Sequence, residues 1–343
     1  MIVKRKILLK LGPKFIGIVI AVLLALLLCL GIYQVFIKSP ADIGKLPQSG
    51  VLEGNGAQNG KTEDIDMENS SPDETPNAPV YSSDKAQGIT TPLSSQSALL
   101  CNNAENAVIL RKNEVSPVSS SAVLALTVAL TVMDAIDLGE TAPSERAVCP
   151  ASAIRLNCYN TSSSIMSVGQ SLTVAELVKT MLCTDPELFA YTLAIHIYGS
   201  EQAFVTRANS LLNKLGVTST VFTSVSDAEK QTTTALDAAI IFRAATESAT
   251  LHTLLSSRDS FTVSASGSAW NTVTLCGRFY SECCTEGQAK ADGIICGYYG
   301  EYNGKQFVYM LFEQVGTTYL TVAIGGSTAY ADSLILLSNA GKN

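Results

Sequence analysis

Three consecutive serines, Ser119 to Ser121, stand at the entrance of an apolar run ending at Leu130, within SPVSSSAVLALTVAL (Ser116 to Leu130). A polar, proline-marked entry feeding an Ala- and Leu-rich segment predicts a buried helix with serine hydroxyls at its N-terminus. Free backbone N–H groups there favour developing negative charge, so this is a place for a nucleophile. A serine hydroxyl is a weak nucleophile at neutral pH and needs a base beside it. No lysine occurs between Lys112 and Lys179, so none of the three serines has one a helical turn further on. The same serines also suit a plain helix N-cap, whose hydroxyl accepts an orphan N–H.

Other groups that could move protons are few. Asp185 and Glu187 form a close pair of carboxylates, a type that can divide acid and base roles. Thr184-Asp185-Pro186-Glu187 is equally a helix start, with Thr184 or Asp185 capping, Pro186 in the first turn and Glu187 facing the dipole. His196 and His252 are the only histidines, which leaves little material for a Ser-His-Asp site.

The order of segments resembles the serine D-Ala-D-Ala carboxypeptidases, the low-molecular-mass penicillin-binding proteins. Their nucleophile helix reads P-A-S-x-T-K, with S-x-x-K supplying nucleophile and base. Pro117-Val118-Ser119 matches its start and Val123 to Leu130 its helix; the lysine falls on Ala122, with Ser120 and Ser121 as alternative registers. Ser162 to Leu182 resembles S-x-M-x-L-x-x-G-x-x-x-T-V-x-D-L-L through Met166, Gly169, Thr173-Val174 and Glu176-Leu177. Thr192 to Val205 resembles A-L-A-E-H-x-x-G-S-x-x-A-F-V, and Asn209 to Phe222 and Thr232 to Ala245 continue the match. Counting back from Thr192 places the family's S-x-N on Asp185-Pro186-Glu187. Its G-x-K-T-G-Y falls on Gly293 to Tyr298, so Ile295 replaces the lysine, and Cys296 and Gly297 become the expected substrate-cleft positions. Cys296 has no basic sequence neighbour to stabilise a thiolate, so a buried or disulfide-bonded cysteine is the competing reading.

This resemblance covers about residues 97–340. It implies an α/β (α+β) fold of the penicillin-binding-protein and serine β-lactamase-like transpeptidase type, an antiparallel sheet packed with helices. The activity it implies is release of the terminal D-Ala from peptidoglycan pentapeptides by a serine-type hydrolase, without cofactor or metal. Ser119 is then the relic nucleophile position, because Ala122, Asp185, Glu187 and Ile295 stand where the charged and amide partners belong. The expectation is a pseudoenzyme whose cleft binds peptidoglycan stem peptides or an envelope protein. The alternative is an active carboxypeptidase with a replacement base: Asp185, Glu187 or a distant lysine such as Lys290. A purely structural envelope protein is a third reading.

The positioning elements are legible as patterns. Ser97 to Asn113 predicts a hairpin turning at Asn102-Asn103-Ala104-Glu105-Asn106, and KQFVYMLFEQ and TTYLTVAIGG a second one turning at Val315-Gly316. Thr173 with Glu176 predicts a capping box. Ala235, Ala238, Ala239 and Phe242 are spaced as the core face of a helix, and a last helix is expected at about 329–338.

The start of the 343-residue chain bounds its compartment. Lys4, Arg5, Lys6, Lys10 and Lys14 form a basic leader (1–14) before an uncharged apolar run, 15–37, long enough to cross a bilayer. The flank predicts a signal anchor with a cytoplasmic N-terminus and an extracytoplasmic domain. Residues 38–92, rich in Gly, Ser, Pro, Asn and acids, read as a disordered tether before a folded domain at 93–343. With the leader set aside the remainder is acidic, which argues against nucleic-acid binding. Nine cysteines include Cys29 in the apolar run; Cys149 with Cys158, or Cys283 or Cys284 with Cys276 or Cys296, are candidate pairs, and free thiols are the alternative.

Overall fold

The computed structural model describes residues 81–119, 121–227, 231–266 and 272–340. The expected leader, anchor and most of the tether lie outside them. Among the described residues no helix is long and apolar enough to cross a membrane.

A six-stranded sheet forms the centre of the folded unit. Strands β1 (Ser97–Asn102) and β2 (Ala107–Lys112) make the first hairpin, and β3 (Ile294–Tyr302), β4 (Lys305–Gln314) and β5 (Thr317–Gly326) close the sheet. Its order is Gln87–Gly88, β2, β1, β5, β4, β3, antiparallel except where Gln87–Gly88 runs parallel to β2. The tight turns explain the hairpins. Val315-Gly316 and Asn303-Gly304 both hold positive φ at the two central residues (49° and 75°; 50° and 71°), the twist that matches antiparallel strands.

Eight or more residues of helix are found in α1 (Ser121–Asp137), α2 (Val174–Cys183), α3 (Glu187–Tyr198), α4 (Glu201–Lys214), α5 (Ala235–Glu247), α6 (Ala249–Ser256) and α7 (Ala329–Leu337). One sheet face presents Leu99, Cys101, Tyr309, Leu320 and Val322 to a core shared with α1 and α5. The other presents Ala98, Leu100, Met310 and Phe312 to α7. Helix α1 is buried around its whole circumference, as an apolar sequence on every face requires.

The predicted details hold. Thr173 accepts the Glu176 N–H at 3.2 Å and Glu176 accepts the Thr173 N–H at 2.8 Å, a reciprocal capping box at the start of α2. Ala235, Ala238, Ala239 and Phe242 are all fully buried on α5.

The ordered unit also extends N-terminal of Leu93. Tyr81 is buried and its hydroxyl donates to Asn103, while the Arg243 guanidinium lies 4.5 Å from its ring centroid. Further along, Asp332 of α7 accepts from the backbone N–H and hydroxyl of both Ser94 and Ser95. Composition made 81–92 look unable to fold alone; a single aromatic and the sheet edge anchor it to the core.

Candidate active site

The entry to α1 is fixed from both sides. Val118–Ser119 pairs antiparallel with Thr232–Thr233, and the Tyr309 hydroxyl donates to the Ala122 carbonyl at 3.0 Å. Ser119 is therefore an exposed strand residue, and Ser121 is the first residue of the helix. Their hydroxyl oxygens are 3.4 Å apart. Ser120 lies outside the described residues.

Of the two described serines, Ser121 stands at the helix N-terminus. It lines a cleft of about 500 Å³ together with Leu124, one helical turn further on. Leu124 is the residue standing where a base would have to project. Ala122, the expected lysine position, is fully buried and does not border the cleft.

The second side of the cleft comes from the α2–α3 connection. Asp185, Pro186 and Glu187 all line it. Its capping differs from expectation. Pro186 is the N-cap of α3 without a side-chain bond, whereas the Thr184 hydroxyl turns back to donate to the Thr180 carbonyl at 2.8 Å. Glu187 begins α3, and Cys158 faces it across the cleft. Burial first, then the Glu187 carboxylate, pushes the Cys158 thiol up to about 12. That sulfur remains a thiol and is no nucleophile at neutral pH.

Strand β3 supplies the third side, further along than expected. Tyr298, Gly300 and Tyr302 line the cleft, while Ile295, Cys296 and Gly297 do not. A bulge between Ile294 and Cys296 breaks the alternation there. Cys296 is fully buried, and burial pushes its thiol up to about 12. Gly297 faces the ring of Phe279, which a Cβ would approach to 2.6 Å, so this glycine makes room for an aromatic ring. Burial also raises the Tyr298 phenol well above its usual value, which keeps it protonated.

The structure adds residues that sequence reasoning missed. Arg278, from the loop before the short turn Phe279–Cys283, is the one cation among the described residues that line the cleft. Its guanidinium is 3.9 Å from Asp185 and 5.3 Å from the Tyr299 ring centroid. Nothing in CGRFYSECC marks it, because it reaches the cleft through the fold alone. Lys305, at the start of β4, lines a smaller adjoining cavity of about 230 Å³ with Ser119 and Ser121. The side chain of Lys290 lies outside the described residues. No lysine or histidine among the described residues lines the main cleft. His196 contacts Glu145 at 3.2 Å and His252 the Thr246 carbonyl at 3.1 Å, both away from it.

All eight described cysteines are free thiols, so neither candidate pairing is formed. Among the described residues no three His, Cys, Asp or Glu side chains converge as a metal set.

A cleft between a serine-initiated helix, an inter-helical loop and an edge strand of an antiparallel sheet defines the serine DD-peptidase architecture. The family model of D-alanyl-D-alanine carboxypeptidases matches residues 83–308, and the chain belongs to that family. Solved structures agree in fold. A D-alanyl-D-alanine carboxypeptidase from Mycobacterium tuberculosis superposes with a TM-score of 0.60 at 19% identity, over 75% of this chain and 95% of that one. A variant of the Streptomyces K15 DD-transpeptidase gives 0.61 at 16%, over 73% and 98%. Penicillin binding protein 5 from Haemophilus influenzae gives 0.59 at 19%, over 73% and 72%. No curated protein matches the sequence.

Proposed function

We propose that this family member is a membrane-anchored cell-envelope protein that has lost hydrolysis and uses its cleft to bind peptidoglycan stem peptides or an envelope protein. The observation that carries the reading is Leu124. It occupies the turn after Ser121, where the hydroxyl would need a base, and general acid–base help is worth about 10²–10⁴-fold. The loop opposite offers Asp185 and Glu187 in place of a hydroxyl and an amide, and Arg278 is already engaged with Asp185. What remains is a polar groove able to bind a chain but without a proton relay. The basic leader and apolar run support the anchor and an extracytoplasmic domain.

The test is the intact mass of the full chain after incubation with a reporter β-lactam. Attack of a serine Oγ on the lactam carbonyl opens the C–N bond, the ring nitrogen takes the proton, and the mass rises by that of the whole drug. The expected result is an unchanged mass. An adduct that disappears in Ser121→Ala would overturn the reading.

A second reading is favoured by Lys305. Its place beside Ser119 and Ser121 gives an active carboxypeptidase a replacement base from β4. It requires an adduct lost in both Ser121→Ala and Lys305→Met; an adduct that survives Lys305→Met rules that lysine out.

A further inference from the structure

A second cavity, of about 660 Å³, lies at the other end of α1 and has no part in the cleft. Its walls are apolar: Met133 and Ile136 of α1, Val178 of α2, Leu211 and Leu215 at the end of α4, and Leu254 of α6. That volume falls in the range of small-molecule sites, about 300–1,000 Å³.

The charges around it are unequal. Asp134, Asp137, Glu176 and Glu247 border the cavity against one ammonium, Lys179. Most of these groups are engaged. Arg207 holds Asp134, Glu176 is committed to the capping box, Arg243 lies 3.7 Å from Glu247, and the Lys179 amine sits 3.9 Å from the Phe261 ring centroid.

Asp137 differs. It is exposed, and its carboxylate makes no hydrogen bond or ion pair among the described residues. It is also the last residue of α1, a 17-residue helix with no basic residue in its last turn. The Asp134, Ala135 and Ile136 carbonyls accept backbone N–H groups from Leu138 to Glu140, yet the aligned peptide dipoles still leave that end negative, so a carboxylate there is unfavourable and a cation favourable. The N-terminus of α6, with its opposite polarity, borders the same cavity through Ser248, Ala249 and Thr250. The C-terminal ends of α4 and α5 also border it, through Leu215 and Glu247, and share the polarity of the α1 end, which suits positive charge.

We propose that this cavity binds a small organic cation, with an apolar body between α1, α2, α4 and α6 and an ammonium group against Asp137. The site is independent of the peptidase cleft and of whether that cleft is active.

Three probes of one shape test it: 4-phenylbutylammonium, 4-phenylbutanol and 4-phenylbutyrate, titrated into the full chain carrying methyl-labelled methionine. Of the six methionines, Met133 lines the cavity. The expected result is a saturable shift of the Met133 methyl, with affinity falling from ammonium to alcohol to carboxylate. The ammonium should lead the alcohol by about two- to fivefold, as a solvent-exposed ion pair allows. Asp137→Asn should erase that lead and leave the alcohol unchanged. No Met133 shift at millimolar ammonium, a carboxylate that binds as well as the ammonium, or a lead that persists in Asp137→Asn would each overturn the proposal.

Discussion

Helix α1 ends in two unlike environments. At its N-terminus Ser121 opens onto a polar cleft where Arg278 and Asp185 are paired and the residue one turn on is leucine. At its C-terminus Asp134 and Asp137 flank a larger apolar cavity, and Asp137 lacks a counter-charge. Between them every residue from Ser121 to Val132 is buried. The contrast separates two kinds of residue in a protein of this family. Those that hold the helix in place are buried along its length, and those at its N-terminus border a cleft lined by Leu124, Asp185, Glu187 and Arg278.

The strongest test of this picture is to cut the link between the ends. Leu126 is fully buried mid-helix, and Leu126→Ala should lower stability by about 2–5 kcal/mol in a urea titration. Because α1 is one rigid element, Met133 shifts and cleft binding should weaken together as the population unfolds; loss at one end only would show that the ends fold separately.

A pH titration examines the sheet beneath the cleft. Burial raises the Cys296 thiol to about 12, above its unfolded value, so the folded protein keeps a proton that the unfolded chain releases. Stability from this group is complete below the unfolded pKa of about 8.5 and falls as pH rises toward 12, by about 1.4 kcal/mol per pH unit. Cys296→Ala should flatten that slope in alkaline melts. Native Cys296 should also resist alkylation at pH 8, and rapid labelling there would contradict its burial.

Smaller effects distinguish the ends. Tyr309→Phe removes the bond to the Ala122 carbonyl and should cost about 0.5–1.5 kcal/mol, with cleft binding perturbed and Met133 unaffected. Asp137→Asn should do the reverse at the other end, raising stability by about 0.3 kcal/mol or slightly more by relieving the helix terminus. A destabilised Asp137→Asn protein would mean that the carboxylate is already compensated.

Much of the scaffold was legible because it depends on neighbours in the chain. The Thr173–Glu176 capping box, the Val315-Gly316 turn and the alanine face of α5 are local patterns with one physical solution each. Counting along the matched segments sets Asp185 to Glu187 at the family's S-x-N position, and in the structure this loop lines the cleft. The register on β3 was not legible, because the bulge at Ile294–Cys296 changes which residues face the helices and leaves no mark in the sequence. The register among Ser119, Ser120 and Ser121 stays open in the sequence for a related reason. Which serine begins the helix depends on the Val118–Ser119 pairing with Thr232–Thr233, more than a hundred residues later.

The sequence by itself determined the family, the strands and helices and their order, and the absence of a lysine after the serines, since each of these is written in nearest-neighbour chemistry. Only the tertiary structure decided that Ser121 and Arg278 line one cleft, that Lys305 lines the cavity beside it, and that the acidic end of α1 borders an apolar cavity. Those facts arise from long-range packing, where the sheet register and the crossing of helices bring together side chains that no local pattern connects.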